Sequence, residues 1–163
     1  MRIETRKWRK EDRERLVSMC NAVDRTYLSD RMPNPYKESD GDWWLNMVEE
    51  SEGKEGVFRA IVVEGEIVGS ISVELKRGGL EKAGELGYMI LTEYWNRGIA
   101  SEAVRETCAE ARAILGINRI TASVYAPNIA SQRVLEKNGF ALEGSKSSEK
   151  YEVKVYGLRG IND

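Results

Sequence analysis

Histidine is absent from all 163 residues. That absence removes Ser-His and Cys-His nucleophilic mechanisms and every histidine metal ligand at once. Cysteine is almost as scarce: Cys20 and Cys108 are the only two, too few for a disulfide framework and without metal-ligand spacing. No metal is therefore expected. No apolar run approaches the roughly 20 residues of a membrane-spanning helix, so no membrane partner is expected either. The chain has no G-x-G-x-x-G fingerprint and no Gly-Lys-Ser/Thr ending, which excludes the common dinucleotide and nucleotide-triphosphate loops. Repeats, low-complexity tracts and Pro/Gly/Ser-rich linkers are missing, so one domain over residues 1–163 is expected. Met1 to Arg15 is a charged mixture without the apolar core of a signal peptide, which predicts a cytoplasmic protein. A net charge of -2 argues against nucleic acid as a partner.

What is present reads as a globular, soluble domain with a core of its own. Hydrophobic residues make up 41% and charged residues 32%, ordinary proportions for such a domain. Ile3 to Trp8 reads as a strand and Glu11 to about Leu28 as a helix, with Leu16, Met19, Cys20 and Val23 at helical spacing. The prolines at 33 and 35 forbid regular helix across Met32 to Tyr36. A second helix is expected from Ser39 towards Glu50. Val57 to Val63 and Ile67 to Leu75 form a hairpin around Glu64-Gly65-Glu66, and Glu85 to Leu91 makes a further strand. Ser101 to Leu115 carries a helical stripe with Val104, Cys108, Ala111 and Leu115 on it. Asn118 to Tyr125 is strand-like, and Asn128 to Lys137 reads as a helix closed by Asn138-Gly139. Phe140 to Leu142 and Tyr151 to Leu158 complete an α/β fold: a mixed, mostly antiparallel sheet of about seven strands with about four flanking helices. The charge-rich segment Glu74 to Glu85 is expected to be a solvated hairpin.

Two constellations carry chemistry. Asn96-Arg97-Gly98-Ile99-Ala100 joins a strand to a helix. A helix start exposes unpaired N–H groups and the positive end of its dipole, which suits a pyrophosphate, and a glycine lets the ligand approach. The five residues alone are equally compatible with an ordinary turn. The second constellation, Val124 to Ser131 followed by Glu136-Lys137-Asn138-Gly139-Phe140, places Asn128 where a helix begins. Read locally, that asparagine is a cap.

Together with Glu85-Leu86-Gly87-Tyr88 and Trp95 to Ala103, these blocks resemble the GNAT superfamily of N-acetyltransferases, in its RimJ/RimL-like branch, from about Ile3 to Leu158. The resemblance implies acetyl-CoA as co-substrate and a primary amine, of a small molecule or a protein N-terminus, as acceptor. It leaves room for a homodimer. Asn96, Arg97, Gly98, Ile99, Ala100 and Ser101 would hold the pyrophosphate, with Trp95 standing where many members have Gln or Arg. Backbone groups of Ile90 and Leu91 would face the pantetheine arm and the acetyl carbonyl, an N–H there stabilising the oxyanion.

With no histidine available, Glu85 is the candidate base, acting directly or through water. Apolar neighbours on both faces of its strand predict partial desolvation and a raised pKa, against the alternative of a solvated strand-end glutamate. Many members use a tyrosine seven positions after the asparagine, but here that place holds Leu135. Ser131 is the candidate substitute at the leaving thiolate, with Asn128 holding pantetheine or an ordered water; Tyr88, Tyr125 and Tyr156 are further donors. Tyr36 and Trp43, with Pro33, Pro35 and Trp44 nearby, are expected to wall the acceptor site. The missing tyrosine also supports a second reading, a coenzyme A-binding module without turnover.

Overall fold

The computed structural model describes residues 1–79 and 82–160. The last three residues of the expected domain, and two residues inside the charge-rich hairpin, lie outside that description. In chain order the elements are β1 (Ile3–Lys7), α1 (Arg13–Ala22), α2 (Glu38–Ser51), β2 (Gly56–Val63), β3 (Glu66–Lys76), β4 (Ala83–Ile90), α3 (Ile99–Leu115), β5 (Arg119–Tyr125), α4 (Ile129–Lys137), β6 (Ala141–Lys146) and β7 (Val153–Arg159), with short 3-10 turns before α1 and after β4. The strands form one sheet in the order β1-β2-β3-β4-β5-β7-β6. Every neighbouring pair is antiparallel except β4 with β5. No helix among the described residues is long and apolar enough to cross a membrane.

Helices cover both faces, so the central strands must be apolar on both. β2 is buried along its whole length. Its Val57, Ile61 and Val63 join a core under α3 with Val104, Cys108 and Ala111, while Ala60 and Val62 join a second core with Leu16, Met19 and Leu45 of α1 and α2. The α3 stripe therefore does what its spacing predicts, and Cys108 is a core side chain. Its thiol is pushed up to about 12 by burial, with the Arg112 charge pulling the other way, so it stays protonated at neutral pH. On the same face, α4 is fixed by a buried chain of bonds: Tyr156 donates to Gln132 Oε1 (2.9 Å) and Gln132 Nε2 donates to the Ala126 carbonyl (2.8 Å).

Two boundaries differ from the periodicity. α1 ends at Ala22 rather than near Leu28, because Val23 turns extended and the next side chains bond locally. Asp24 accepts from the N–H (2.9 Å) and hydroxyl (2.6 Å) of Thr26, and Arg25 clamps the carbonyls of Cys20, Met32 and Pro33 at 2.8–2.9 Å. β6 extends to Lys146 because β7 offers it a full antiparallel partner.

Candidate active site

β4 pairs with β5 at Ala83, Gly84 and Glu85 only, yet the two strands run on to Ile90 and Tyr125. Beyond Glu85 they part and leave a wedge in the sheet. Register decides which backbone groups face it. Leu91 donates its N–H to the Val68 carbonyl (2.9 Å). Antiparallel pairing alternates along β3 and β4, so Met89 and Gly87 also turn towards β3, whereas Tyr88 and Ile90 direct their N–H groups into the wedge. The expectation for Leu91 is corrected accordingly: its N–H is spent in the sheet and its side chain is buried in the second core. Ile90 retains a wedge-facing donor, and its carbonyl accepts from Trp95 Nε1 (2.8 Å). Trp95 thus ties the following loop to the strand end, a role its sequence position did not reveal.

That loop turns through two left-handed residues, Asn96 (φ 59°) and Gly98 (φ 78°). A Cβ placed on Gly98 would meet nothing within 4 Å, so this glycine answers to its backbone angle and fronts open space. α3 begins at Ile99 without a side-chain cap. Its first intrahelical bond runs from the Glu102 N–H to the Gly98 carbonyl (3.1 Å), which leaves the N–H groups of Ile99, Ala100 and Ser101 with no acceptor inside the helix. The Ile99 side chain is core, so it can contribute only backbone. The Arg97 guanidinium lies 5.7 Å over the Tyr94 ring.

α4 forms the other side of the wedge. Asn128 Oδ1 accepts from the Ser131 N–H (3.2 Å), so the local reading of a helix cap holds for that oxygen. The Ser131 hydroxyl lies 2.7 Å from the Tyr88 hydroxyl across the wedge. Burial pushes the Tyr88 phenol upward and the Ser131 bond offsets part of that, so Tyr88 is a proton donor throughout the neutral range. Tyr156 is committed to Gln132, and Tyr125 packs edge-on against Tyr151 at 5.2 Å. Of the tyrosines named from the sequence, Tyr88 is the one that meets Ser131.

On the α1–α2 face, β3 and β4 floor a cleft of about 810 Å³ bordered by Ser72, Glu74, Glu85, Met89 and the loop residues Leu28 and Arg31. Glu74 and Glu85 stand directly opposite in the strand register. Glu85 is exposed, the solvated alternative, because Gly87 on its face opens to the cleft, while Met89 further along packs in part against the second core. The Glu74 carboxyl is held above its usual range: desolvation within the cleft pushes it up and the Glu85 charge adds to this, while Arg31 and a bond from Ser72 pull it down. Tyr36 and Trp43 do not border this cleft. Tyr36 is buried in the second core, and Trp43 is 69% exposed on the outer side of α2. The loop from Leu28 to Met32 supplies the wall instead.

Comparison with known proteins bears on the fold and the family. The chain is 33% identical over 99 residues to the uncharacterized N-acetyltransferase YoaA of Bacillus subtilis (strain 168), covering 57% of this chain and 55% of YoaA. It therefore spans about half the length of that relative. It is 26% identical over 136 residues to the L-amino acid N-acetyltransferase AaaT of Escherichia coli (strain K12), covering 83% of this chain and 75% of AaaT. Mycobacterium smegmatis RimJ, solved in complex with CoA-disulfide, superposes with a TM-score of 0.83 over 98% of this chain and 83% of its own, at 16% identity, a likeness of fold. An acetyltransferase (GNAT) domain model matches residues 2–141, more than half of the sequence, and the chain belongs to that family.

Proposed function

We propose that the protein transfers the acetyl group of acetyl-CoA to a primary amine, by direct attack in a ternary complex. One observation carries the reading: the wedge between β4 and β5 has the Ile90 N–H on its β4 side and, beside it, a Tyr88–Ser131 hydroxyl pair that joins β4 to α4. An extended arm that enters such a gap meets backbone donors where strand pairing has ceased. The loop at Gly98 and the uncapped start of α3 suit its pyrophosphate.

Bound acetyl-CoA supplies an acetyl thioester. The Ile90 N–H is placed to donate to negative charge growing on a carbonyl oxygen. Ser131, backed by Tyr88, can donate a hydrogen bond or a proton to a departing thiolate. On the acceptor side, Glu85 takes the ammonium proton. It stands three residues before Tyr88, roughly 10 Å along the strand at about 3.4 Å per residue, so it acts through water. The acidic pair Glu74 and Glu85 suits a cationic acceptor, either a small-molecule amine or a protein N-terminus. L-amino acids head the panel, since the relative AaaT is named for them.

The test is thiol release from acetyl-CoA over a panel of amino acids, polyamines and N-terminal peptides, with coenzyme A binding measured independently by calorimetry. Amine-dependent release supports the proposal. Tight binding without release on any amine would favour the non-catalytic module, and no binding at millimolar acetyl-CoA would remove both.

A further inference from the structure

The end of α4 meets the first turn of α3. Asn138 Nδ2 lies 3.0 Å from the Val134 carbonyl, 3.2 Å from the Ser101 carbonyl and 3.2 Å from Ser101 Oγ. Two of those partners are carbonyl oxygens, which only accept, so the amide presents its NH₂ side here and its orientation is chemically determined. Ser101 Oγ therefore accepts from Asn138. The Ser101 hydroxyl donates to no acceptor among the described residues. With a lone pair engaged by the amide, its hydrogen points away from Asn138.

We infer that Asn138 is a positioning residue for the coenzyme's pyrophosphate, acting through Ser101. The inference rests on the acetyl-CoA reading above. Ser101 stands three residues after Gly98, beside the N–H groups that lack acceptors inside the helix. An oriented hydroxyl adds one more donor to that anion-binding turn. The backbone holds Asn138 in place: its own N–H bonds to the carbonyls of Val134 (3.3 Å) and Leu135 (3.0 Å), and the buried Phe140 follows. α4 therefore touches the site at both ends, with Ser131 on Tyr88 and, seven residues or about 10 Å along the helix, Asn138 on Ser101.

The experiment compares the whole protein with Ser101→Ala, Asn138→Ala and the double variant. Coenzyme A Kd is measured, together with the kcat/KM ratio for acetyl-CoA over S-acetylpantetheine, a donor that has the thioester and arm but no pyrophosphate. Each single variant is expected to raise the Kd about fivefold, the worth of one hydrogen bond. The donor ratio falls by the same factor, and the double variant is no worse than Ser101→Ala. Additive losses in the double, or an unchanged donor ratio in either single, would assign Asn138 to packing alone and overturn the inference. If Asn138→Ala does not fold, Ser101→Ala still decides: an unchanged Kd there overturns it. A wild-type protein that binds no coenzyme A removes the acetyl-CoA reading itself, and this inference with it.

Discussion

Tyr88 on β4 and Ser131 on α4 are hydrogen-bonded to each other, their hydroxyls 2.7 Å apart. Neither residue stands where the family's tyrosine would. That place, Leu135, is wholly buried in the core, and a tyrosine there would overpack it at a cost of about 1–3 kcal/mol. In the proposed mechanism the donor is Ser131, one helical turn earlier, with the Tyr88 phenol of the facing strand bonded to it.

The expected consequence is that Ser131→Ala lowers turnover roughly tenfold while acetyl-CoA affinity stays within about threefold, as for an interaction made mainly in the transition state. Tyr88→Phe follows the same pattern. Because the two hydroxyls act as a unit, the double variant loses less than the product of the singles. Steady-state kinetics on all three variants, with coenzyme affinity by calorimetry, check this. Full activity in Ser131→Ala would return the serine to its helix and the proton to water.

At Gly98, replacement by Val is expected to weaken coenzyme A binding at least about tenfold. A β-branched side chain resists the left-handed angle and projects into open space that the phosphates would fill. Gly98→Ala separates the two effects: it carries the backbone strain with a single small group and loses less affinity. Equal, unchanged affinities in folded variants would make Gly98 an ordinary turn residue.

Much of this site was legible in the residues, and what was missed has a common cause. The α3 stripe, the β2–β3 hairpin and the turn at Gly98 are local patterns, and periodicity or turn chemistry reads them directly. Pairing is not local. Nothing in Glu85 to Leu91 says that β5 leaves the strand after Glu85, so the choice between the N–H of Ile90 and that of Leu91 needed the register. The two readings of Glu85 could not be separated for the same reason: apolar neighbours imply burial only if something covers them, and the side chain is exposed. Trp43 was read by residue type, but α2 turns it outward. The Asn128 to Ser131 spacing was visible, whereas its partner Tyr88 lies 43 residues earlier than Ser131. Asn138 looked like a helix terminator, and it is one; its second bond needed α3 beside it.

Glu85→Gln makes a prediction about pH. An α-amine with pKa near ~8 is about a tenth neutral at pH 7, whereas a lysine-type amine near ~10.4 is under a thousandth neutral. The variant is expected to lose most activity near neutrality and to recover in part as rising pH lets solution remove the proton. Recovery should start at lower pH for α-amines than for side-chain amines. Rate–pH profiles on one acceptor of each kind check it, and wild-type profiles in the variant would remove Glu85 from the mechanism.

Glu74 provides a prediction that does not depend on turnover. Desolvation in the cleft, reinforced by the Glu85 charge, holds its folded pKa above the unfolded value. Below the unfolded pKa, near ~4.3, both states are protonated and the site contributes nothing against folding. As pH rises through the folded pKa the native state holds more protons than the unfolded one, and stability falls with a sign fixed by linkage. At neutral pH the penalty is larger than at pH 4. Glu74→Gln keeps the shape and an acceptor for Ser72 but removes the charge, so it should raise Tm at pH 7 and leave it nearly unchanged at pH 4. Glu85→Gln should do part of the same, since its charge is the second cause of the shift, and the two gains should add incompletely. Thermal melts of the three variants at both pH values decide the matter. A Glu74→Gln gain that is equal at pH 4 and pH 7 would mean the benefit is packing, and that the paired carboxylates carry no strain for a cationic acceptor to relieve.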